Sequence, residues 1–295
     1  LAVVIENARL FETVEQRRAD LAKSLKLIES DLRAAQAAQE SLLPREFPAI
    51  EGWEFGAIFV PSQYVGGDFY NVFRLDEEYI GLYHIDVSGH GVPAALFSVG
   101  INQYLMRDLL GPGVLRAETG IPGRLRVRSP EEMISLLDQE NMFQRHQHFF
   151  TMLYLTLNVR TGLVRFYRAG HTEPLLLRPG QPPRYLEGGG SLIGFQMPRN
   201  PDEMREIQLQ PGDRLIIYSD GVNEACNAAK EEFGFDRLAQ FLASRDEAPL
   251  SEAFSALLQE IRRFTGHEEF EDDVSMTGIR WLGPGAGGGA AGAPR

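Results

Sequence analysis

Cysteine is nearly absent from this sequence, and long apolar runs are absent altogether. Its 295 residues include one cysteine, Cys226, so no disulfide can form within the chain and a reducing, cytoplasmic location is expected. No stretch of about 18 uninterrupted apolar residues occurs, which argues against insertion into a membrane. The N-terminus has neither a basic segment nor a small-residue cleavage site, so no secretory signal peptide is expected.

Basic residues are also scarce relative to acidic ones. The chain has 29 Lys and Arg against 41 Asp and Glu, a net charge of -12. A nucleic-acid partner would require a basic stripe to neutralise phosphates, so this balance argues against one. Carboxylates that converge can instead hold cations, and their positions along the chain decide between these interpretations.

Residues 1–43 are predicted to form one long helix, because no glycine or proline occurs within them. The seam of a coiled coil is indicated by apolar side chains at alternating spacings of four and three: Leu21, Leu25, Ile28, Leu32 and Ala35. The register is interrupted by Asn7, Arg18 and Gln39. A helix packed along its own domain would show a similar stripe. The strongly charged flanking positions favour a parallel two-stranded coiled coil, and hence a homodimer.

Short runs rich in β-branched and aromatic residues follow, separated by turn signals. They predict strands at 53–60, 79–86, 150–159, 163–170, 214–221 and 274–279. Apolar periodicity and a capping box predict helices at 92–110, 130–145 and 251–264. Many strands with few helices indicate an α+β fold of antiparallel sheet covered by helices.

Three segments are therefore expected along the chain. A helical linker over 1–43 precedes one domain over 44–282, within which the Pro- and Arg-rich segment 111–128 is predicted to be a loop. The tail 283–295 is rich in Gly, Ala and Pro and is expected to be disordered.

Aspartates stand where predicted strands end and glycine lets the backbone turn. They are Asp68 in VGGDFY, Asp86 in HIDVSGHG, Asp220 in YSDGVNEA, and Asp272 with Asp273 in FEDDVS. One Asp-Gly at a strand end is ordinarily a turn. Several carboxylates converging in one place would repel one another unless cations lay between them, and oxygen-only ligands select magnesium or manganese over zinc.

These motifs, in this order, also carry a family resemblance. VGGDFY, DVSGHGVPAALF, FFTMLYLTLN with YRAGHTEPLLL, SDGVNEA and EDDVS resemble the PPM-type (type 2C) protein phosphatases, above all their bacterial SpoIIE-like branch, which controls sigma-factor partner switching. The preceding ESLLP matches that branch as well. The resemblance covers roughly residues 38–280 and implies an α/β/β/α four-layer sandwich, in which two antiparallel sheets are stacked between helices.

The resemblance also implies the roles of the aspartates in a serine/threonine phosphatase with two divalent cations, Mn(2+) or Mg(2+). Asp86 would bridge the two metals, and the carbonyl of Val87 would complete the coordination of one. Asp220 and Asp272 would hold the second metal, and Asp68 would serve the first. A water between the cations would attack phosphorus. Asp273 is expected to support these ligands from behind.

Other polar residues are expected to matter less. His90 in SGHG is either the acid that protonates the leaving serine or threonine, or a histidine that holds its loop. His171 is expected to fix a turn, and His146 and His148 are interpreted in the same way. Residues 51–73 contain no Lys or Arg, so phosphate affinity would depend mostly on the metals.

The resemblance extends to regulation. ENARLFE at the N-terminus resembles the last helix of GAF-type sensory domains, so an upstream sensory domain is expected, with the coiled coil transmitting its state. The helices at 92–110 and 130–145 are the expected receivers of that signal. The family substrate is a phosphorylated STAS-type anti-anti-sigma protein.

Three other functions remain possible at this point. A pseudophosphatase that only binds a partner would be expected to lack a metal aspartate, and none is missing. A nucleotide or lipid phosphohydrolase would need a base or acyl pocket, and no G-x-x-x-x-G-K loop is present. A purely structural dimer would leave the placement of the aspartates unexplained.

Overall fold

Two antiparallel five-stranded sheets form the centre of the fold. The computed structural model describes residues 2–44, 46–107, 109, 111–139, 149–197 and 199–283. The first sheet has the strand order β1-β12-β11-β8-β9, and the second has the order β10-β7-β6-β3-β2. The strands are β1 Trp53–Val60, β2 Phe69–Arg74, β3 Tyr79–Val87, β4 Arg116–Glu118, β5 Leu125–Val127, β6 Phe150–Asn158, β7 Leu163–Ala169, β8 Leu175–Leu177, β9 Arg184–Tyr185, β10 Arg205–Gln208, β11 Arg214–Tyr218 and β12 Val274–Trp281.

Helices cover the outer face of each sheet. α2 and α3 contact the sheet that contains β3 and β6, whereas α5 and α6 contact the other sheet. The helices are α1 Ala2–Leu42, α2 Val92–Arg107, α3 Pro130–Gln139, α4 Asp220–Asn223, α5 Gly234–Ala243 and α6 Leu250–Thr265. In the described chain, no helix is long and apolar enough to cross a membrane.

Three apolar clusters hold the four layers together. One lies between the two sheets and includes Phe55, Leu82 and Leu155. The other two lie between each sheet and its helices, with Tyr83 and Phe254 among their members. Both faces of each sheet are thus buried, which explains why the strands are apolar at successive positions instead of alternating. The α/β/β/α sandwich predicted from the motifs is confirmed.

Alternation along each strand decides which side chains face the space between the sheets. On β3, Ile80 and Leu82 belong to the cluster between the sheets, whereas Tyr83 and Ile85 belong to the helix side. Because side chains alternate with a period of two, His84 and Asp86 share the face of Leu82. Asp86 therefore lies at the end of the strand, in the gap between the sheets.

Several sequence predictions agree with these elements and others do not. The strand at 53–60 and the helix near 251–264 are confirmed, and α1 is the long N-terminal helix expected over 1–43. The segment 111–128 was expected to be a loop, but β4 and β5 pair there as an antiparallel hairpin. The predicted strand 214–221 ends at Tyr218, because Asp220 begins the short helix α4.

Some predictions fall on residues outside the described ones. The second half of the helix predicted at 130–145 lies beyond Gln139, where α3 ends. His146 and His148 belong to the same stretch, and the tail predicted to be disordered lies beyond residue 283.

Candidate metal centre

The structure brings three of the predicted aspartates to one open pocket. Asp86 from the end of β3, Asp220 at the start of α4 and Asp272 just before β12 line a pocket of about 320 Å³, together with Val87 and His90. The first sheet contributes Asp220 and Asp272, and the second contributes Asp86. The pocket is therefore built at one end of the gap between the sheets.

Two serines join the strand ends that carry Asp220 and Asp272. The backbone N–H of Ser219 donates to the carbonyl oxygen of Ser275 at 3.0 Å, and the Ser275 N–H donates to Ser219 Oγ at 3.0 Å. Ser219 Oγ donates in turn to the carbonyl oxygen of Asp273 at 3.1 Å. These bonds hold the end of β11 against the start of β12 and so place Asp220 beside Asp272.

Asp68 lies behind the pocket and is not among its lining residues. It is 2% exposed, and its Oδ2 accepts a hydrogen bond of 2.5 Å from Ser275 Oγ. β2 and β3 pair Phe69 with Ile85, so the continued register places Asp68 opposite Asp86. Asp68, directly before the neighbouring strand β2, thus lies at the same end of the sandwich as Asp86.

Asp273 binds the loop that precedes Asp68 instead of lining the pocket. Its carboxylate accepts hydrogen bonds from the backbone N–H of Ser62 at 2.8 Å, from Ser62 Oγ at 3.0 Å and from the Gly67 N–H at 2.6 Å. A Cβ on Gly67 would stand 2.8 Å from the carbonyl oxygen of Val87, so only glycine fits there. The loop can therefore approach the Val87 carbonyl closely.

Burial and mutual repulsion act on these carboxylates together. Burial, followed by repulsion from Asp220 and Asp272, raises the pKa of Asp86 to about 7. Burial and the neighbouring carboxylates also raise the pKa values of Asp220 and Asp272. For Asp68, burial and the charge of Asp86 raise the pKa well above its usual range, although the Ser275 hydrogen bond opposes this. A cluster of buried carboxylates with raised pKa values favours the binding of a positive charge between them.

The described pocket lining has no lysine or arginine to provide that charge. Among the described residues that line it, none is Lys or Arg, and His90 is the sole basic residue type. The donors are carboxylate and backbone oxygens, which suit hard divalent cations. In the described part of the chain, however, no three His, Cys, Asp or Glu side chains are gathered closely enough to hold an ion as they stand. The chemical type of the donors and their location in one pocket fit such a cation. Their spacing in this structure does not bring three side chains around a single ion.

The histidines divide between the pocket and the interior. His90 is exposed on the pocket wall, where its Nδ1 lies 3.2 Å from Gln63 Nε2. His171 is buried, with its Nδ1 2.7 Å from Thr151 Oγ1 on β6. Burial lowers the pKa of His171 to about 3, with the charge of Arg168 acting in the same direction. The ring of His171 is therefore neutral and its contact is structural.

Sequence reasoning missed two residues that support the predicted ligands. Ser275, in the middle of VSMT, was treated as an ordinary strand residue although it binds Asp68. Gln39 was noted as an interruption of the apolar seam, and the structure buries it against the loop that precedes Asp68. A polar residue in an apolar seam was the available signal for Gln39, whereas nothing in the sequence marked Ser275.

Comparisons with known proteins agree with this geometry. Residues 76–282 match the family model described as Stage II sporulation protein E (SpoIIE). Protein IcfG of Synechocystis sp. is 28% identical over 265 residues, which cover 84% of this chain and 41% of that protein. Phosphoserine phosphatase RsbU of Bacillus subtilis is 26% identical over 251 residues, covering 82% of this chain and 69% of RsbU. The chain thus spans less than half of IcfG.

A solved structure shows the same fold. The SiaA-PP2C domain of Pseudomonas aeruginosa superimposes with a TM-score of 0.71 at 22% identity, covering 88% of this chain and 98% of that domain. The family model covers well over half of the chain, and the family predicted from the motifs is confirmed. The chain therefore belongs to the SpoIIE family, and its domain has the same fold as the SiaA-PP2C domain.

Proposed function

We propose that this chain is a metal-dependent phosphoserine and phosphothreonine protein phosphatase. Asp68, Asp86, Asp220 and Asp272, with the Val87 carbonyl, would hold two divalent cations, either manganese or magnesium. One observation carries this proposal. Three of the predicted aspartates, from two different sheets, line a single open pocket whose described lining contains no Lys or Arg, so the charge of a bound phosphate has to be offset by cations.

The cations supply the chemistry that side chains in this pocket lack. When bound, two of them provide a water acidic enough to attack phosphorus near neutral pH, and they offset the charge on the phosphoryl oxygens. The remaining requirements fall to the chain itself. Ser275 holds one oxygen of Asp68, and Asp273 holds the loop in front of it, so the buried carboxylate keeps its place opposite Asp86.

His90 is the candidate for the proton that the leaving serine or threonine oxygen requires. It is exposed on the pocket wall, in the loop that directly follows Asp86 and Val87 at the end of β3. Its contact with Gln63 supports the alternative role, in which the imidazole holds the loop. A His90→Gln variant separates the two roles, because loss of a proton donor lowers kcat and flattens the pH profile without changing loop stability.

The proposed substrate is a phosphorylated STAS-type anti-anti-sigma protein. Membership in the SpoIIE family supports it, since the sequence resembles the branch that acts in partner switching. The pocket is open to solvent and is lined at its mouth by the partly exposed Phe149. A phosphoserine on a protein surface can reach such a pocket. The described residues that line it do not enclose a cavity for a base or an acyl chain.

Regulation through α1 as a coiled-coil linker is the further part of the proposal. Leu21, Leu25 and Ile28 are each more than half exposed along this helix, at the spacing of a coiled-coil seam. A second copy of the helix would bury them and make the protein a homodimer. An upstream sensory domain would then act by changing how the two helices pack.

Release of phosphate from a phosphoserine STAS protein tests the function. The expected result is turnover with manganese that is absent with chelator and is lost in Asp220→Asn. A folded protein that binds manganese but turns over neither STAS phosphoproteins nor other phosphoproteins would contradict the enzymatic function. Analytical sedimentation of the chain and of a Leu25→Asp variant tests the dimer. If α1 forms the dimer, the variant sediments as a smaller species than the wild type.

A further inference from the structure

The last turns of α1 touch the loop that carries the first predicted metal ligand. Along most of the helix the apolar seam is exposed, but Gln39, on the same seam, is 4% exposed. It meets the segment 62–68, which connects β1 to β2 and ends at Asp68. Of the three polar residues that interrupt the seam, Gln39 is buried, whereas Asn7 and Arg18 are exposed.

The carboxamide of Gln39 is matched atom by atom to the backbone of Gly66. Gln39 Nε2 donates to the carbonyl oxygen of Gly66 at 2.7 Å, and the Gly66 N–H donates to Gln39 Oε1 at 3.1 Å. Both polar atoms of one side chain therefore pair with both polar atoms of one residue, as a neighbouring strand would. Buried pairs of this kind fix position, because either group left alone would be buried without a partner.

A second contact joins the same helix to the same loop. The guanidinium of Arg33 lies over the ring of Tyr64, 5.8 Å from its centroid. Arg33 is also held by Glu29 on the helix, at 2.8 Å. Tyr64 and Gly66 therefore both contact α1, so the loop is joined to the helix at two residues.

The opposite side of the loop is fixed to the sheet. The Asp273 carboxylate binds Gly67 and Ser62, and a Cβ on Gly66 would overlap that carboxylate. The loop is thus confined between Gln39 on one side and Asp273 on the other, two residues before Asp68. A shift of α1 at Gln39 would therefore act on Gly66, two residues before Asp68.

We propose that Gln39 is a positioning residue that ties the placement of α1 to the placement of Asp68. The proposal rests on the proposed function in one respect, namely that Asp68 serves a metal. It gives α1 a direct connection to the metal centre, through one side chain and one loop, in addition to the contacts of α1 with α2. The helices α2 and α3 are not needed as intermediates.

A substitution that keeps the volume and removes both hydrogen bonds tests this role. Gln39→Met fills the same space, and Gln36→Met is the matched control, since Gln36 lies one turn earlier and bonds Glu40 on its own helix. Two measurements on the full chain are required. One is amide hydrogen exchange of segment 62–68, and the other is manganese binding followed by the electron paramagnetic resonance of the free ion.

In Gln39→Met, exchange in the loop is expected to speed up. The manganese concentration for half-saturation is expected to rise by roughly 10-fold, the size of effect usual for residues that orient a metal ligand. Gln36→Met is expected to match the wild type in both measurements. Where both proteins turn over a phosphoprotein, KM for the protein substrate stays the same while the manganese requirement rises.

Equal loop exchange, or equal manganese half-saturation, in Gln39→Met and the wild type would overturn the proposal. Failure of the proposed function looks different, because the wild type then shows no manganese-dependent turnover while loop exchange still reports on Gln39. If Gln39→Met does not fold, Gln39→Glu replaces it. That variant keeps the acceptor for the Gly66 N–H but turns an oxygen toward the Gly66 carbonyl, and the same two measurements decide.

Discussion

The two ends of the gap between the sheets differ sharply although the same strands build both. At one end, Trp53 and Trp281 stack with ring centroids 5.4 Å apart and planes 3° apart, next to apolar residues of β6. At the other end, β3 finishes in Asp86, and the neighbouring positions carry Asp220 and Asp272. The first end is apolar, and the second is an open pocket lined by carboxylates.

This difference separates stability from function along the strands. Apolar burial between the sheets contributes favourably to folding, at about 25 cal/mol per Å². The carboxylates oppose folding in the absence of cations, since burial and repulsion raise their pKa values. Substitutions at the two ends should therefore have opposite consequences, and the following predictions test that from the largest effect to the smallest.

Asp272→Asn should lower phosphate release by about 100- to 1,000-fold, because it removes a carboxylate that neutral asparagine cannot replace as a cation ligand. Steady-state kinetics with saturating manganese measure this. Glu271→Gln is the matched control, since Glu271 also lines the pocket and is exposed. The control should stay within a few-fold of wild type, and an equal loss in both variants would contradict the assignment of Asp272.

Leu155→Ala should lower the free energy of unfolding by about 3 kcal/mol, the usual cost of truncating a buried leucine. Leu155 is fully buried between the sheets. Urea denaturation measures the change. The manganese half-saturation of the folded variant should equal that of the wild type, and a weakened metal site would show that the two ends are not independent.

His171→Gln should change how stability depends on pH. The pKa of His171 is lowered to about 3 in the folded protein from 6.5, so the unfolded state binds the additional proton between these values. The stability that the neutral histidine confers is complete above pH 6.5 and is lost as the pH falls toward 3.

For His171 this loss amounts to about 2 kcal/mol between pH 7 and pH 5. From pH 7 to pH 5, the free energy of unfolding should therefore fall by about 2 kcal/mol less in the glutamine variant than in the wild type. Thermal denaturation at the two pH values measures the difference, and identical losses in both proteins would contradict a neutral buried histidine.

Asp86→Asn should stabilise the metal-free protein at pH 8, where the wild-type carboxyl is ionised against its raised pKa. The folded-state pKa of Asp86 is raised to about 7 from 3.8, so the folded protein binds the additional proton. Stability from this group is present below pH 3.8 and is lost as the pH rises through 7. The variant, which cannot ionise, avoids that loss while losing activity.

Thermal denaturation with chelator at pH 5 and pH 8 checks this sign. The advantage of Asp86→Asn should be larger at pH 8 than at pH 5. Added manganese should reverse the order, because it binds the wild type and not the variant. A variant less stable than the wild type at pH 8 with chelator would contradict the raised pKa.

Local patterns predicted most of the longer elements, although β2 Phe69–Arg74 and α5 Gly234–Ala243 were missed. β1 coincides with the run WEFGAIFV, and α6 follows the apolar spacing of Phe254, Leu257 and Ile261. The short strands β8 and β9 and the hairpin of β4 with β5 were not predicted. Runs of two or three residues carry no periodicity, so their pairing depends on partners far away in the sequence.

The site was predicted only in part for a similar reason. Asp86 and Asp220 follow apolar runs, which marks them within the sequence. Asp68 and Asp273 come instead directly before strands, β2 and β12, and the structure buries both, with Asp273 bound to the loop of Gly67. Asp272 and Asp273 are neighbours before the same strand, yet one lines the pocket and the other lies behind it, and no local pattern marks that difference.

The sequence by itself determined the family, the strand and helix types of the long segments, and the acidic residues available to hold cations. These follow from residue type and spacing, which local sterics and apolar periodicity decide. Only the tertiary structure decided that Asp86 meets Asp220 and Asp272 across two sheets, that Ser275 supports Asp68, and that Gln39 binds Gly66. The physical reason is that these contacts join residues on different layers, whose meeting is set by how the sheets stack and pair.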